Sequence, residues 1–217
     1  MRIPSLLALF LGAACAGPPR IPFDEGTGWH ASVHSGERWS NDRYIEEYNA
    51  SGIEVYLPVP GTEGWGWELG ASWGSGSGDA SEKINVTRNN VTAVEAVDNH
   101  RESDIYELTI GVRQTYFPDS VVQPYFGVGG AVFKTKNVDH FDVAALLADP
   151  AVQPKPPEVE HFQTVDLALY LRTGLQWRIL RDRIRKDSEM LVILDLRGSF
   201  GHEFSFVEVS LGVGYGR

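Results

Sequence analysis

The stretch VDLALYLRTGLQW (residues 165–177) decides the fold class. Side chains of a strand alternate between its faces, so Val165, Leu167, Leu169, Leu171, Thr173, Leu175 and Trp177 share one side. Asp166, Ala168, Tyr170, Arg172, Gly174 and Gln176 share the other. One face is apolar and the other carries both signs of charge. A half-buried strand of a soluble sheet has the same pattern, so the rest of the chain must say which face meets oil.

The period recurs. YELTIGVRQTY sets Tyr106, Leu108, Ile110, Val112 and Tyr116 against Glu107, Thr109, Gly111, Arg113 and Thr115. VEVSLGVGYG and WGWELGASWG repeat it, and WHASV, IEVYL, QPYFGVGGAVF and LVILDLRGSF are shorter or noisier examples. The count comes to eight strands, the smallest number seen in single-chain outer-membrane barrels. Glu54, Glu68, Glu107, Arg113, Asp166, Arg172, Asp195, Arg197 and Glu208 fall on the polar faces, among small residues and few lysines. That compact, mixed-sign set suits the interior of a narrow tube, where arginine pairs buried carboxylates and small residues leave room for large ones. The apolar faces carry Trp65, Trp67, Trp73, Tyr106, Tyr116, Trp177 and Tyr215, several near strand ends, as an aromatic girdle at two membrane boundaries requires.

The chain has 217 residues, 42% of them hydrophobic, and a formal net charge of -10. That suits one domain and argues against a nucleic-acid partner, whose phosphates an acidic surface repels. No run approaches the roughly eighteen apolar residues of a spanning helix. Residues 1–16 read as an export signal, with Arg2 ahead of the apolar LLALFLGAA. Cys15, the sole cysteine, sits in LGAACAG, which resembles a lipoprotein lipobox with Gly12 where leucine is usual; ACA also fits ordinary signal cleavage. Lipidation and removal of Cys15 therefore stand as alternatives. Residues 17–217 form one barrel domain. Long outer loops are expected near 36–50, 75–103 and 136–163, alternating with short turns at PVPGTEG and FPDSVVQ, and both chain ends fall on the inner side. The 75–103 segment, with valines around RNN, suggests a projecting hairpin, and DHFDVAALLADP a short helix.

VQPYFGVGGAVF, YLRTGLQWRI, the final FVEVSLGVGYGR and the strand rhythm over residues 23–217 resemble the small OmpA-like outer-membrane β-barrels of Gram-negative bacteria. The resemblance implies an all-β, eight-stranded antiparallel up-and-down transmembrane barrel in the bacterial outer membrane, of structural, adhesive or surface-interaction type. It has a side-chain-filled interior, no wide pore and no enzymatic activity. Implied partners are outer-membrane lipid, the barrel-insertion machinery and an extracellular molecule met by the outer loops. The C-terminus departs from the family's aromatic ending: Tyr215 is followed by Gly216 and Arg217.

Two other readings compete. A lipid A acyl hydrolase or transferase would use His202, Glu203 and Ser205, but His202 and Ser205 have opposite parity in an extended chain. A soluble lipocalin-like periplasmic binder would turn the aromatics into its core. Asp139, His140, Asp142, Glu160 and His161 are metal-ligand types without a recognisable spacing, so no metal site and no cofactor is expected. His30 and His34 are expected to hydrogen-bond interior carboxylates.

Overall fold

The computed structural model describes residues 28–88, 91–142, 159–179, 188–202 and 204–216. Eight strands follow one another: β1 (His30–Ser40), β2 (Glu47–Pro58), β3 (Trp65–Arg88), β4 (Val91–Thr115), β5 (Val122–Phe141), β6 (Val159–Arg178), β7 (Glu189–Gly201) and β8 (Ser205–Gly216). Each pairs antiparallel with the next, and β1 closes on β8 with Val33 opposite Val213, giving an up-and-down barrel without an open edge through its wall. Closure satisfies every ladder donor and acceptor of the wall from within the chain, which an apolar surrounding demands.

The period-two pattern builds this wall. Along β8 buried and exposed residues alternate without a break from Phe206 to Gly216. The interior tapers by exchanging small for large: a Cβ on Gly111 would lie 2.1 Å from the Tyr170 hydroxyl oxygen, and one on Gly174 would lie 2.5 Å from that of Tyr125. At the end of the barrel holding the β2–β3 and β4–β5 connections, turns are short. Gly61 and Gly64 take φ of 77° and 74°, a region open to glycine at little cost, and the Gly64 carbonyl accepts the Thr115 amide at 2.7 Å.

The strands are unequal. β3 and β4 have 24 and 25 residues and β5 and β6 have 20 each, whereas β1, β2, β7 and β8 have 11 to 13. The β2–β3 pairing stops at Asn49 opposite Ser75, and the β6–β7 pairing begins at Ala168 opposite Gly201. Beyond those points β3, β4, β5 and β6 continue together as a sheet standing off the barrel mouth.

This corrects the loops expected from sequence. Segment 36–50 is mostly strand, with only residues 41–46 between β1 and β2. Segment 75–103 is an unbroken continuation of the β3–β4 ladder down to Arg88 opposite Val91. In 136–163, β5 persists to Phe141 and β6 resumes at Val159, so Asp139 and His140 are strand residues. The remainder of the expected helix falls outside the described residues, as do the export signal with Cys15, Glu203 and Arg217.

Candidate functional site

The lumen holds two layers of ion pairs. In the layer nearer the short turns, Arg172 reaches Asp195 at 2.8 Å and Glu68 at 3.2 Å and also pairs with Glu54, which Arg113 meets at 3.3 Å. Tyr125 donates to Asp195 at 2.9 Å and Tyr170 to Glu68 at 2.7 Å. In the second layer Arg38 and Arg197 share Glu107 and Glu208 at 2.7–2.8 Å, and Ser72 donates to Glu107 at 2.8 Å. Arg172 and Arg197 are opposite each other across β6 and β7, yet each guanidinium joins a different layer. Like charges that would repel are thus each compensated by two or more carboxylates.

Above the second layer the lumen turns apolar. Phe133, Phe204 and Phe206 pack with ring centroids 5.6–6.0 Å apart, with Tyr48 and Tyr44 in the same buried cluster. The Arg38 guanidinium lies 4.4 Å from the Phe206 ring centroid, joining charge layer to plug by a cation–π contact. A cavity of about 140 Å³ beneath the mouth, lined by Phe133, Phe162 and Arg101 among others, is well below the size of ordinary small-molecule pockets.

Eight of the nine interior residues named from sequence line these layers. Asp166 does not: it is half-buried at the mouth and accepts the Phe204 amide at 3.0 Å, fixing the β7–β8 connection. His30 departs too. Its Nε2 lies 2.9 Å from the Arg113 guanidinium and its ring stacks on Tyr56, so its partner is an arginine rather than a carboxylate. His34 is half-buried beside Gly52, where a Cβ would meet its Nε2 at 2.6 Å. Sequence reading missed Arg38, fully buried in the 36–50 segment taken as loop. The alternation of Arg38 with exposed Trp39 is the signal that would have found it.

The outer wall is the inverse. Val33, Ile53, Leu69, Leu108, Ile110, Leu167, Leu169, Val209 and Leu211 stand exposed, ringed at both ends by aromatics. Trp65, Tyr116, Trp177 and Tyr215 lie at the short-turn end with Trp67 one step in, while Trp73 is opposite Tyr106 at the other. Trp29 extends the first ring, and Trp39 and Phe200 the second. Tyr106 on β4 and Tyr116 just past its end are ten residues apart, which at ~3.3 Å per residue and a tilt near 40° is about 25 Å, the height of a hydrocarbon band.

Outside that band, Arg101 makes a two-pronged contact with Asp139 at 2.6 and 2.8 Å, and its guanidinium lies 3.9 Å from the Tyr44 ring centroid. Burial pushes the Asp139 carboxyl up, but the Arg101 hydrogen bonds and charge outweigh it and hold it below the usual carboxylate range. Ser205 spends its hydroxyl on the β7–β8 turn, donating to the Gly201 carbonyl at 3.2 Å and accepting the Gly201 amide at 3.1 Å. Among the described residues no group of three or more His, Cys, Asp or Glu side chains could hold a metal ion.

A closed eight-stranded barrel with an apolar wall and a filled, charged lumen is the class these features define. No protein-family model matches the chain, and no curated protein matches it. Among solved structures it is similar to Ail, the attachment invasion locus protein of Yersinia pestis, with 12% identity, 87% of this chain and 99% of that one covered, and a TM-score of 0.44. Neisserial surface protein A gives 9%, 88%, 98% and 0.47. The N-terminal β-barrel domain of Pseudomonas aeruginosa OprF gives 14%, 88%, 98% and 0.41. At these identities and superpositions the likenesses add nothing to the barrel that the chain's own strand pairing establishes.

Proposed function

We propose that this chain is a non-enzymatic protein of the bacterial outer membrane, of the OmpA-like barrel type, whose work is structural, adhesive or surface-interacting. The carrying observation is the inversion of polarity across the wall: leucine, valine and tryptophan outside, guanidinium–carboxylate pairs inside. A soluble lipocalin-like binder requires the reverse. In water the exposed apolar band far exceeds the few hundred Å² that soluble monomers tolerate, whereas in lipid it costs nothing.

The packed charge layers and the aromatic plug argue against a wide channel, which needs about sixteen strands. Bilayer recordings should show no large, stable conductance. The lipid A-modifying reading loses its nucleophile, because the Ser205 hydroxyl is committed to its own turn and His202 stands exposed. The partners are then lipid along the wall, the insertion machinery, and an extracellular molecule at the sheet beyond the mouth.

Membrane fractionation followed by a gel of heated and unheated samples tests this. The chain should partition into detergent and migrate faster before heating, as a folded barrel does. Recovery in the buffer-soluble fraction with no heat-dependent shift would overturn it.

A further inference from the structure

The projecting sheet ends sideways at β6. The β6–β7 ladder begins at Ala168 opposite Gly201, and among the described residues no strand pairs with residues 161–167 along that side. The ladder says which backbone groups are left there. The Arg178 amide donates to the Val121 carbonyl on the β5 side, and the Ile179 amide to the Met190 carbonyl on the β7 side, both at 2.9 Å. Successive residues of an antiparallel strand turn to opposite neighbours, and the β5–β6 register runs from Val122 opposite Trp177 to His140 opposite Val159 without a bulge. Even-numbered residues of β6 therefore face β5, and odd-numbered ones face the open edge. Leu167 is sealed, because its amide donates to the Asp166 carboxylate at 2.8 Å. His161, Gln163 and Val165 turn three amides and three carbonyls toward that edge.

Proteins usually blunt such an edge with lysine, proline or a bulge. HFQTVDL (residues 161–167) has none of these, and its Phe, Thr and Val suit a pleated strand. The other margin of the sheet, at β3, is covered: the Tyr44 carbonyl lies against Gly78, and Glu82 bonds the Tyr44 hydroxyl and pairs with Arg43. The β6 edge also borders a cavity. Phe162, Thr164 and Asp166, which alternate with the open positions, line the hollow of about 140 Å³ together with Phe133 and Phe204. A void of about 150 Å³ accepts benzene, so this hollow has room for one large aliphatic or aromatic side chain. A strand added beside β6 would point every second side chain to that inward face. Asp42 and Asp166 in the lining and the formal net charge of -10 favour a basic incoming segment.

We propose that residues 161–165 of β6 are a docking edge for an extended, basic segment of a foreign protein, which adds to the projecting sheet as a fifth strand and sets one large apolar side chain in the cavity beside Phe162. Main-chain hydrogen bonds to His161, Gln163 and Val165 supply affinity, and the cavity supplies selectivity. This gives the extracellular partner a chemistry and rests on the outer-membrane barrel reading.

Fluorescence anisotropy of the fluorescein-labelled peptide KTVTLTVTK with the detergent-folded full chain tests it. Gln163→Pro deletes one edge donor and leaves the β5–β6 ladder intact, since Gln163 faces away from β5, and it should weaken binding by about tenfold or more. Thr164→Trp, which fills the cavity, should weaken it by about tenfold or more as well. A second readout reports strand addition itself: the Gln163 and Val165 amides should exchange with deuterium rapidly in the free chain and slowly once the peptide is added. Wild-type binding that is absent, or undiminished by either substitution, or amide exchange at Gln163 and Val165 that the peptide leaves unchanged, would overturn the proposal. The heat-dependent gel shift, retained in every variant, separates that outcome from a failure of the barrel reading.

Discussion

Strands β3 and β4 pass through two surroundings without a break in their ladder, and their outward face changes from apolar to polar where they leave the first for the second. Below Trp73 and Tyr106 the outward residues are Trp65, Trp67, Leu69, Leu108 and Ile110, and the inward ones include Glu68, Glu107 and Arg113. Above that pair the outward residues are Ser75, Ser77, Asp79, Asp98, His100, Glu102 and Asp104. The inward side there is mixed, with Asn99, Ser103, Asn137 and the Arg101–Asp139 pair nearest the mouth and Ile84, Val86 and Val97 packing beside Phe141 farther out. Hydrogen bonding makes the strand, but the solvent on each side decides which face is greasy. The aromatic pair marks where lipid outside gives way to water.

Sharpening this contrast begins with the lumen, where the largest effect is expected. Arg172→Ala leaves buried Glu68 and Asp195 without a guanidinium and Glu54 with Arg113 alone, and unfolding in urea should show a loss of about 3–5 kcal/mol. Arg101→Ala, which leaves the buried Asp139 carboxylate of the projecting sheet without its guanidinium, should cost about 1–3 kcal/mol in the same measurement.

The wall comes next. Ile110 is exposed midway between the two aromatic rings, and Ile110→Arg should destabilise the lipid-embedded protein by about 2–4 kcal/mol. Ala96→Arg, on the same face of the same strand but above Tyr106, should change stability by no more than about 0.5 kcal/mol. Equal costs at the two positions would erase the boundary drawn at Tyr106.

A smaller effect is a pH dependence confined to the sheet. The folded Asp139 carboxyl sits below its unfolded value, so it binds its proton less readily when folded. Its contribution is therefore complete above the ordinary carboxylate range, near pH 4, and is lost as pH falls through that range toward the depressed folded value. Limited proteolysis of the sheet should quicken below about pH 4 in the wild type, and Asp139→Asn should flatten that response. The smallest effect is expected from replacing residues 83–96 with a two-residue turn, which should leave the heat-dependent gel shift intact because the wall holds none of them.

What was legible follows from the same change of surroundings. Period-two reading located the wall residues of all eight strands, since there one solvent lies on each side and the alternation keeps its phase. At 75–103 the valines around RNN pointed to a projecting hairpin, which the β3–β4 ladder contains, but not to one unbroken ladder with the wall, because glycine, serine and charged residues crowd the stretch just beyond Trp73 and Tyr106. Arg38 was lost because its segment was read as loop, although it keeps the phase of the wall with Trp39 outward. The ion-pair partners were legible as a set but not as pairs. Register fixes who meets whom, and it placed Asp166 at the mouth rather than in a layer.

All six tryptophans, Trp29, Trp39, Trp65, Trp67, Trp73 and Trp177, lie on the outer surface at or within the rings bounding the apolar band. Their fluorescence therefore reads the central assignment of oil outside and charge inside. Folded into vesicles of phosphatidylcholine with brominated acyl chains, the protein should lose most of the emission it shows in unbrominated vesicles, with little further loss on adding aqueous acrylamide. Emission unchanged by bromination but quenched by acrylamide would place those rings in water and contradict the account.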